Sequence, residues 1–340
     1  MEFSHVAFIL YLVSSFFVHT YGGWMSSKNS PDHVIERSFH ALGTANNIRI
    51  FGRDDERPMD LAYARIMEIE DRMSAFKRGS DVWALNSNAG VAPVRLHDDT
   101  FDLLKRAVAF SRLSDGAFDC TIRPLVELWG IGIKKNYIPS VQEITEKMAL
   151  VCYKDIVFDD GAMSAELTEK GQAIDLGGIA KGYAADEVKR VLAGCGIESA
   201  LINLGGNIVA LGGRPDGQPW RIGIQNPLVA AGEYLAVVSV VDKAVVTSGS
   251  YERYFIEEGV RYHHILDPRA GRPAQSGLLS VTVVCGNSTD ADALATALFV
   301  LGCDNGMELL KNFGGKAVFI DEELQITASE GMTNNFEKLG

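Results

Sequence analysis

"SALINLGGNIVALGG", residues 199–213, sets two strand-like runs against a glycine pair, with nothing helical between them. The same habit continues through the second half of the chain. "WRIGIQNP", "LAVVSVVDKAVVTSG", "RYHHILDP", "LLSVTVVCG", "GKAVFID" and "LQITASEG" all read as strands, and a single helical run, "NSTDADALATALFVLG" (287–302), interrupts them. Strands and helices that fail to alternate one for one argue against a doubly wound parallel sheet. The expected class is α+β, with a largely antiparallel sheet packed with helices.

The first half supplies most of the helices. Met59, Tyr63, Ile66, Ile69, Met73 and Phe76 recur at a helical period across 58–76, and Phe101, Leu104 and Val108 mark the inner face of a helix over 100–113. Ser140 and Glu143 form a capping-box pair that opens a helix running to about Leu150. "NNIRIFG", "DIVFD" and "QAIDL" read as strands. A further helix is expected from about Ile179 to Gly194 or Gly196. No fixed-period repeat and no interior linker appears, so residues 35–335 are expected to form one domain.

The chain has 340 residues, with 47% hydrophobic and 22% charged, an ordinary globular composition. A net charge of −12 and the lack of a basic tract exclude nucleic acid as a partner. An acidic protein that handles an anion must do so locally, with backbone amides, helix ends or a metal. The five cysteines contain no CxxC pair and are odd in number, which favours free thiols over a zinc site or disulfide framework. Val6 to Val18 is a 13-residue apolar run, short for a spanning helix and close to the core of a secretory signal. Residues 1–24 are therefore expected to be a leader and 25–34 a polar linker. The expected location is exported: periplasmic, or periplasm-facing at the inner membrane through that segment, without a cysteine-linked lipid.

Three stretches hold candidate chemistry. "AIDLGGIAKGYAADEV" places Gly177, Gly178 and Gly182 where a strand turns into a helix, a geometry that brings backbone close to a ligand and favours an anion. In "NSTDADALATALFVLG", Ser288, Thr289 or Asp290 suits the helix cap. Asp292 and Thr296, four residues apart, share one helix face, and a carboxylate and a hydroxyl so placed can share a hard cation. In "SDGAFDCTIRPLVELWGIG", Asp119 serves either as a turn-stabilising acceptor or as a ligand contact, and local context does not choose. His263 and His264 are adjacent in a strand, so one of the two can face a given pocket.

The ordered set "ALGT", "MSAFKRGSDVWALN", "SDGAFDCTIRPLVELWGIG", "DLGGIAKGYAAD", "LINLGGNI", "VTSGSYERYF", "HHILDPRAG" and "DADALATALFVLG" resembles the ApbE family, the FAD:protein FMN transferases, over residues 38–332. The resemblance implies magnesium and FAD, with FMN moved from FAD to a threonine hydroxyl of an exported or membrane redox subunit and AMP released. It implies metal ligation by Asp292, Thr296 and the Gly178 carbonyl, with Asp290 left to cap its helix. It also implies an FAD site lined by Leu42, Phe76, Ala117, Phe118, Asp119, Asp175, Lys181 and Leu266, with His264 the best candidate for the general base and Asp175, acting through the metal or a water, the alternative. The chain departs from the family pattern at Leu42, where some members carry methionine, and at Phe76, where some carry tyrosine. Further departures are Asn207, where many carry aspartate, and Ala295, where some carry a second acid. Two other activities are consistent with the same motifs: an FAD pyrophosphatase in which water replaces threonine, and a non-catalytic flavin carrier.

Overall fold

The computed structural model describes residues 33–339, except 135, 230, 231, 333 and 334. The leader expected over 1–24 lies outside the described residues, and the first strand starts at Val34. One eight-stranded sheet organises the chain. In spatial order its strands are Val34–Ala41, Thr44–Phe51, Ala200–Leu204, Asn207–Leu211, Ala244–Gly249, Leu278–Cys285, Lys316–Asp321 and Ile326–Ala328. Every neighbouring pair runs antiparallel. The opening stretch of sequence forms the third and fourth strands in this order, a hairpin with Leu204 opposite Asn207 across the glycine turn.

The period-2 alternation of these strands divides the core in two. Ala200, Ile202, Val209, Val246, Val281 and Phe319 point to one face, which the helices cover. Leu201, Ala210, Val245, Val318 and Ile320 point to the other, against a three-stranded sheet made by Trp220–Gln225, Tyr234–Val240 and Phe336–Lys338. A smaller cluster around Leu125, Trp129, Ile144 and Leu266 lies to one side, where the indole of Trp129 donates to the carbonyl of Gly271 at 2.8 Å.

The helices are α1 (Arg57–Met73), α2 (Asp81–Ser87), α3 (Asp98–Leu113), α4 (Arg123–Trp129), α5 (Val141–Met148), α6 (Ala180–Gly194) and α7 (Ser288–Phe313). The capping box that opens α5 is complete, with both reciprocal Ser140–Glu143 bonds present. Arg65, largely buried on α1, ties three helices together by donating to Glu68, to Asp99 on α3 and to Glu187 on α6. Burial alone would raise Asp99, but Arg65 and Arg72 outweigh it and hold that carboxyl below its usual range. This network fixes α6 against α1 and α3. The apolar length of α7 comes from core packing, since it lies against α6 and the central strands, and a kink at Gly302 (φ 79°) splits it.

Several expectations need correction. "QAIDL" joins no sheet; its backbone is paired instead by the Asn86 side chain, which both accepts from and donates to Ile174, and by the carbonyl of Cys120, which accepts from Asp175. The cap of α7 is Asn287, whose side-chain oxygen accepts from the Asp290 amide at 2.9 Å; none of Ser288, Thr289 and Asp290 holds that position. The Asp290 carboxylate instead accepts from the side-chain Nδ2 of Asn287 and from Arg106 Nε. Phe76 does not continue the buried face of α1. The backbone turns extended at Ser74, and Phe76 is 69% exposed.

Candidate functional site

Three turns meet at one end of the main sheet: Leu42–Gly43, Gly205–Gly206 and the segment that follows Gly249. Leu42 and Gly43 have φ of 55° and 68°, the left-handed pair that a two-residue hairpin demands. The Asn46 side chain holds that turn by donating to the carbonyls of Ala41 and Thr44. Gly205 (φ 59°) lies so near Thr44 that a β-carbon there would sit 2.6 Å from its hydroxyl. The carboxylate of Glu252 approaches Gly206 next to it.

The N-terminal ends of α6 and α7 close over this edge. Their approach depends on Gly182. A β-carbon at that position would lie 2.2 Å from the carbonyl oxygen of Ser288 and 2.8 Å from the β-carbon of Asp292. The absence of a side chain allows the Gly182 amide to donate to Asp292 Oδ2 at 2.9 Å. Lys181 Nζ donates to the Gly177 carbonyl at 3.0 Å and stands 3.3 Å from Asp292 Oδ1. Asp186 fixes the same junction from the other side, accepting from the amides of Ser288 and Thr289 and from the Thr289 hydroxyl.

One consequence concerns Gly178. In an uninterrupted helix its carbonyl would accept from the amide four residues on, which is that of Gly182. Asp292 takes that amide, and the Gly178 carbonyl receives no hydrogen bond among the described residues. The same glycine packs against Phe118, and a β-carbon on it would sit 3.6 Å from Thr296 Oγ1. Thr296 in turn reaches Ser248 Oγ at 3.5 Å and donates to the Asp292 carbonyl at 3.3 Å. The structure thus brings Gly178, Lys181, Asp292, Thr296 and Phe118 to one place.

A second group adjoins it. Asp175 accepts from the Gly177 amide at 2.8 Å and from Arg123 Nη1 at 3.2 Å. The Arg123 guanidinium lies 4.1 Å from the centre of the exposed Phe76 ring, a cation–π contact that ties Phe76 to Asp175. In the sequence Arg123 is one residue of the "SDGAFDCTIRPLVELWGIG" stretch. Its position at the start of α4, directly before Pro124, is the signal that marked it.

The remaining candidates behave differently. Both carboxylate oxygens of Asp119 accept from backbone or hydroxyl groups of the protein: Oδ1 from the Thr121 amide and hydroxyl in its own turn (2.8 and 2.6 Å), Oδ2 from the amide of the distant Tyr153 (3.4 Å). Burial lifts its pKa despite those bonds. Of the two readings left open, these contacts favour the turn-stabilising one. Ala117 is buried just before Phe118, and Leu266 packs in the small Trp129 cluster. Leu42 packs against the main core from its turn.

Of the histidines, His263 turns inward, meeting the Ala274 carbonyl at 3.0 Å and the edge of Phe299. His264 is the one beside the site, with Nδ1 buried and unpartnered among the described residues. Burial, reinforced by Arg253, His263 and Lys181, pushes its pKa down to about 3, so the imidazole is neutral. Glu252 was missed from sequence. It is reached by solvent yet crowded by protein, and that desolvation raises its carboxyl above the usual range, with Lys181 and Arg253 opposing.

The sequence pattern of the ApbE family matches residues 42–320, most of the chain. The chain belongs to the ApbE family. Among relatives, the FAD:protein FMN transferase of Treponema pallidum is 36% identical over 88% of this chain and 87% of its own length. That of Klebsiella pneumoniae is 35% identical over 91% and 96%. The fold is likewise shared with solved ApbE structures. The ApbE protein of Thermotoga maritima superposes with a TM-score of 0.82 at 35% identity, covering 89% of this chain and 99% of that one. The flavin transferase ApbE of Vibrio cholerae gives 0.82 at 29%, covering 90% and 100%. As in those ApbE proteins, the architecture is α+β around a large antiparallel sheet.

Proposed function

We propose that this ApbE-family chain is an FAD:protein FMN transferase that uses magnesium, joins FMN through a phosphoester to a threonine hydroxyl of a redox protein, and releases AMP. The observation that carries the reading is Gly178, packed near Thr296 with a carbonyl that receives no hydrogen bond among the described residues, next to the Asp292 carboxylate that takes the Gly182 amide. These donors are all hard oxygens: one carboxylate, one hydroxyl and one carbonyl. Among the described residues no group of three His, Cys, Asp or Glu side chains is placed to hold a metal. A short oxygen set completed by phosphates and water suits magnesium. When bound there, the ion would neutralise pyrophosphate charge.

The chain's own groups account for the rest. Lys181, ion-paired with Asp292, adds a positive charge at the mouth of an acidic protein. The exposed Phe76 ring, backed by the buried Arg123 guanidinium, offers a stacking surface that suits a planar ring, and Asp175 holds the Arg123 head in place. His264 is neutral and therefore in the form that accepts a proton from an incoming hydroxyl. A bound pyrophosphate would offset the cations that depress it and make it a stronger base. The apolar run at 6–18 supports a reaction outside the cytoplasm, with the chain periplasmic or associated with the inner membrane. The test is incubation with FAD, magnesium and a redox-subunit apoprotein, followed by intact-mass analysis. Transfer adds one FMN to the apoprotein and releases AMP in equal amount. AMP with free FMN and an unmodified apoprotein would make the chain a pyrophosphatase, and neither product would make it a carrier.

A further inference from the structure

Directly beyond Glu252 the chain forms an isolated hairpin, Tyr254–Glu257 paired with Val260–His263. Glu258 and Gly259 close it with φ of 50° and 78°. Its base is built into the site, because the His264 amide donates to the Arg253 carbonyl at 3.0 Å. One face is anchored: Phe255 stacks on Tyr262 and Tyr262 on Trp129, with ring centres 5.0 and 5.8 Å apart. The loop after α4 also touches it, since a β-carbon on Gly132 would lie 3.7 Å from Arg253 Cδ.

The hydrogen-bond alternation of an antiparallel pair shows which backbone groups are left over. Arg253 and His264 exchange a bond, so Phe255 with Tyr262 and Glu257 with Val260 are the exchanging pairs that follow. Tyr254 and Ile256 belong to the intervening pairs, and their amides and carbonyls point away from the hairpin. Among the described residues neither amide has a partner. Their side chains are exposed as well, Tyr254 by 43% and Ile256 by 54%. An open strand edge with exposed apolar side chains is what soluble proteins generally suppress, and it is also the template for adding a strand from another chain.

We infer that the edge of Tyr254–Glu257 receives the acceptor protein, which lies along it as an added strand and so carries its hydroxyl to His264. This rests on the flavin-transfer reading, in which the second substrate is a protein that must reach this end of the sheet. The edge runs into the site through Arg253 and Glu252 on its own strand, and His264 lies directly across from Arg253. Backbone pairing accepts many sequences, and Ile256 adds an apolar contact to an extended segment on the same face.

The test uses the full chain with FAD, magnesium and a purified redox-subunit apoprotein. Ile256→Pro deletes the outward amide without removing a bond of the inner ladder. The expected result is a KM for the apoprotein at least tenfold higher, with kcat and the AMP released from FAD without apoprotein both within twofold of the unmodified chain. A KM within twofold, in a variant that melts with the unmodified chain, overturns the inference. If I256P melts early, amide exchange on the unmodified chain decides: slower exchange at Tyr254 and Ile256 with saturating apoprotein supports the added strand, and unchanged exchange overturns it. Slowing that depends on the chain's own concentration assigns the edge to self-association and overturns it too. A chain that releases AMP but modifies no apoprotein overturns the transferase reading and the inference with it. Transfer with an unaltered KM in I256P overturns the inference alone.

Discussion

Gly182→Ala tests the α6–α7 junction with the smallest possible change. Alanine is the better helix former by roughly 1 kcal/mol, and the position is not in the left-handed region, so local propensity predicts a gain. Packing predicts the reverse. The new β-carbon would meet the Ser288 oxygen at 2.2 Å, and ordinary contact at 3.4 Å requires the helices to part by about 1.2 Å. Such overpacking costs about 1–3 kcal/mol. Parting the helices also breaks the bond from the Gly182 amide to the buried Asp292 carboxylate, which is worth about 1.5–3 kcal/mol. The net loss is roughly 2–5 kcal/mol, or a fall in Tm of about 4–10 °C for a chain of this size. Moving Asp292 by about 1 Å should also slow AMP release on the order of 100-fold. Circular-dichroism melting and an AMP-release assay read the two effects. A G182A chain with unchanged Tm and rate would refute the claim that this close approach builds the site.

Other outcomes follow from the same geometry. Asp292→Asn keeps an acceptor for the Gly182 amide but removes the charge, so it should melt within a few degrees of the unmodified chain while AMP release falls by about 100-fold or more; retained activity would remove Asp292 from the chemistry. His264 has its pKa lowered from the ordinary 6.5 to about 3 in the folded chain. The unfolded chain therefore binds the extra proton, and folding stability should fall as pH drops from about 6.5 towards 3, by no more than about 1.4 kcal/mol per pH unit and less after solvent screening. Urea unfolding at several pH values should show His264→Gln with a shallower loss, and an equal slope would contradict the assignment. Asp119→Ala leaves the Thr121 amide and hydroxyl and the Tyr153 amide without their acceptor and should cost roughly 2–4 kcal/mol, with the KM for FAD within threefold at a temperature where it is folded. A stable variant with weakened FAD use would make Asp119 a ligand contact instead.

Much of this was legible in the residues. The α+β class followed from strand runs that succeed one another without helices, and every pair in the main sheet is antiparallel. The juxtaposition of the Gly177–Gly182 turn with Asp292 and Thr296 was implied by the family motifs, because the partners are over 100 residues apart and no local pattern joins them. Short elements escaped notice: α2 and α4 have seven residues each, too few for a helical period to declare itself. "QAIDL" alternates like a strand but is held by Asn86 and Cys120, a tertiary contact that local pattern does not reveal. The cap of α7 is ambiguous in sequence, because Asn287 is followed by three residues that cap about as well as asparagine does. Glu252 lies inside the "VTSGSYERYF" motif with nothing in the pattern to single it out, and only the fold places it near Lys181 and Gly206.

The most direct test of the account is a crystal structure of the chain soaked with manganese and FAD, read by the anomalous signal of the metal. The account predicts one strong peak between the Gly178 carbonyl, the Asp292 carboxylate and Thr296 Oγ1, at roughly 2.0–2.3 Å from each and in contact with the FAD phosphates. FAD bound with its phosphates on these residues and no metal among them, or a metal peak elsewhere in the chain, would contradict it.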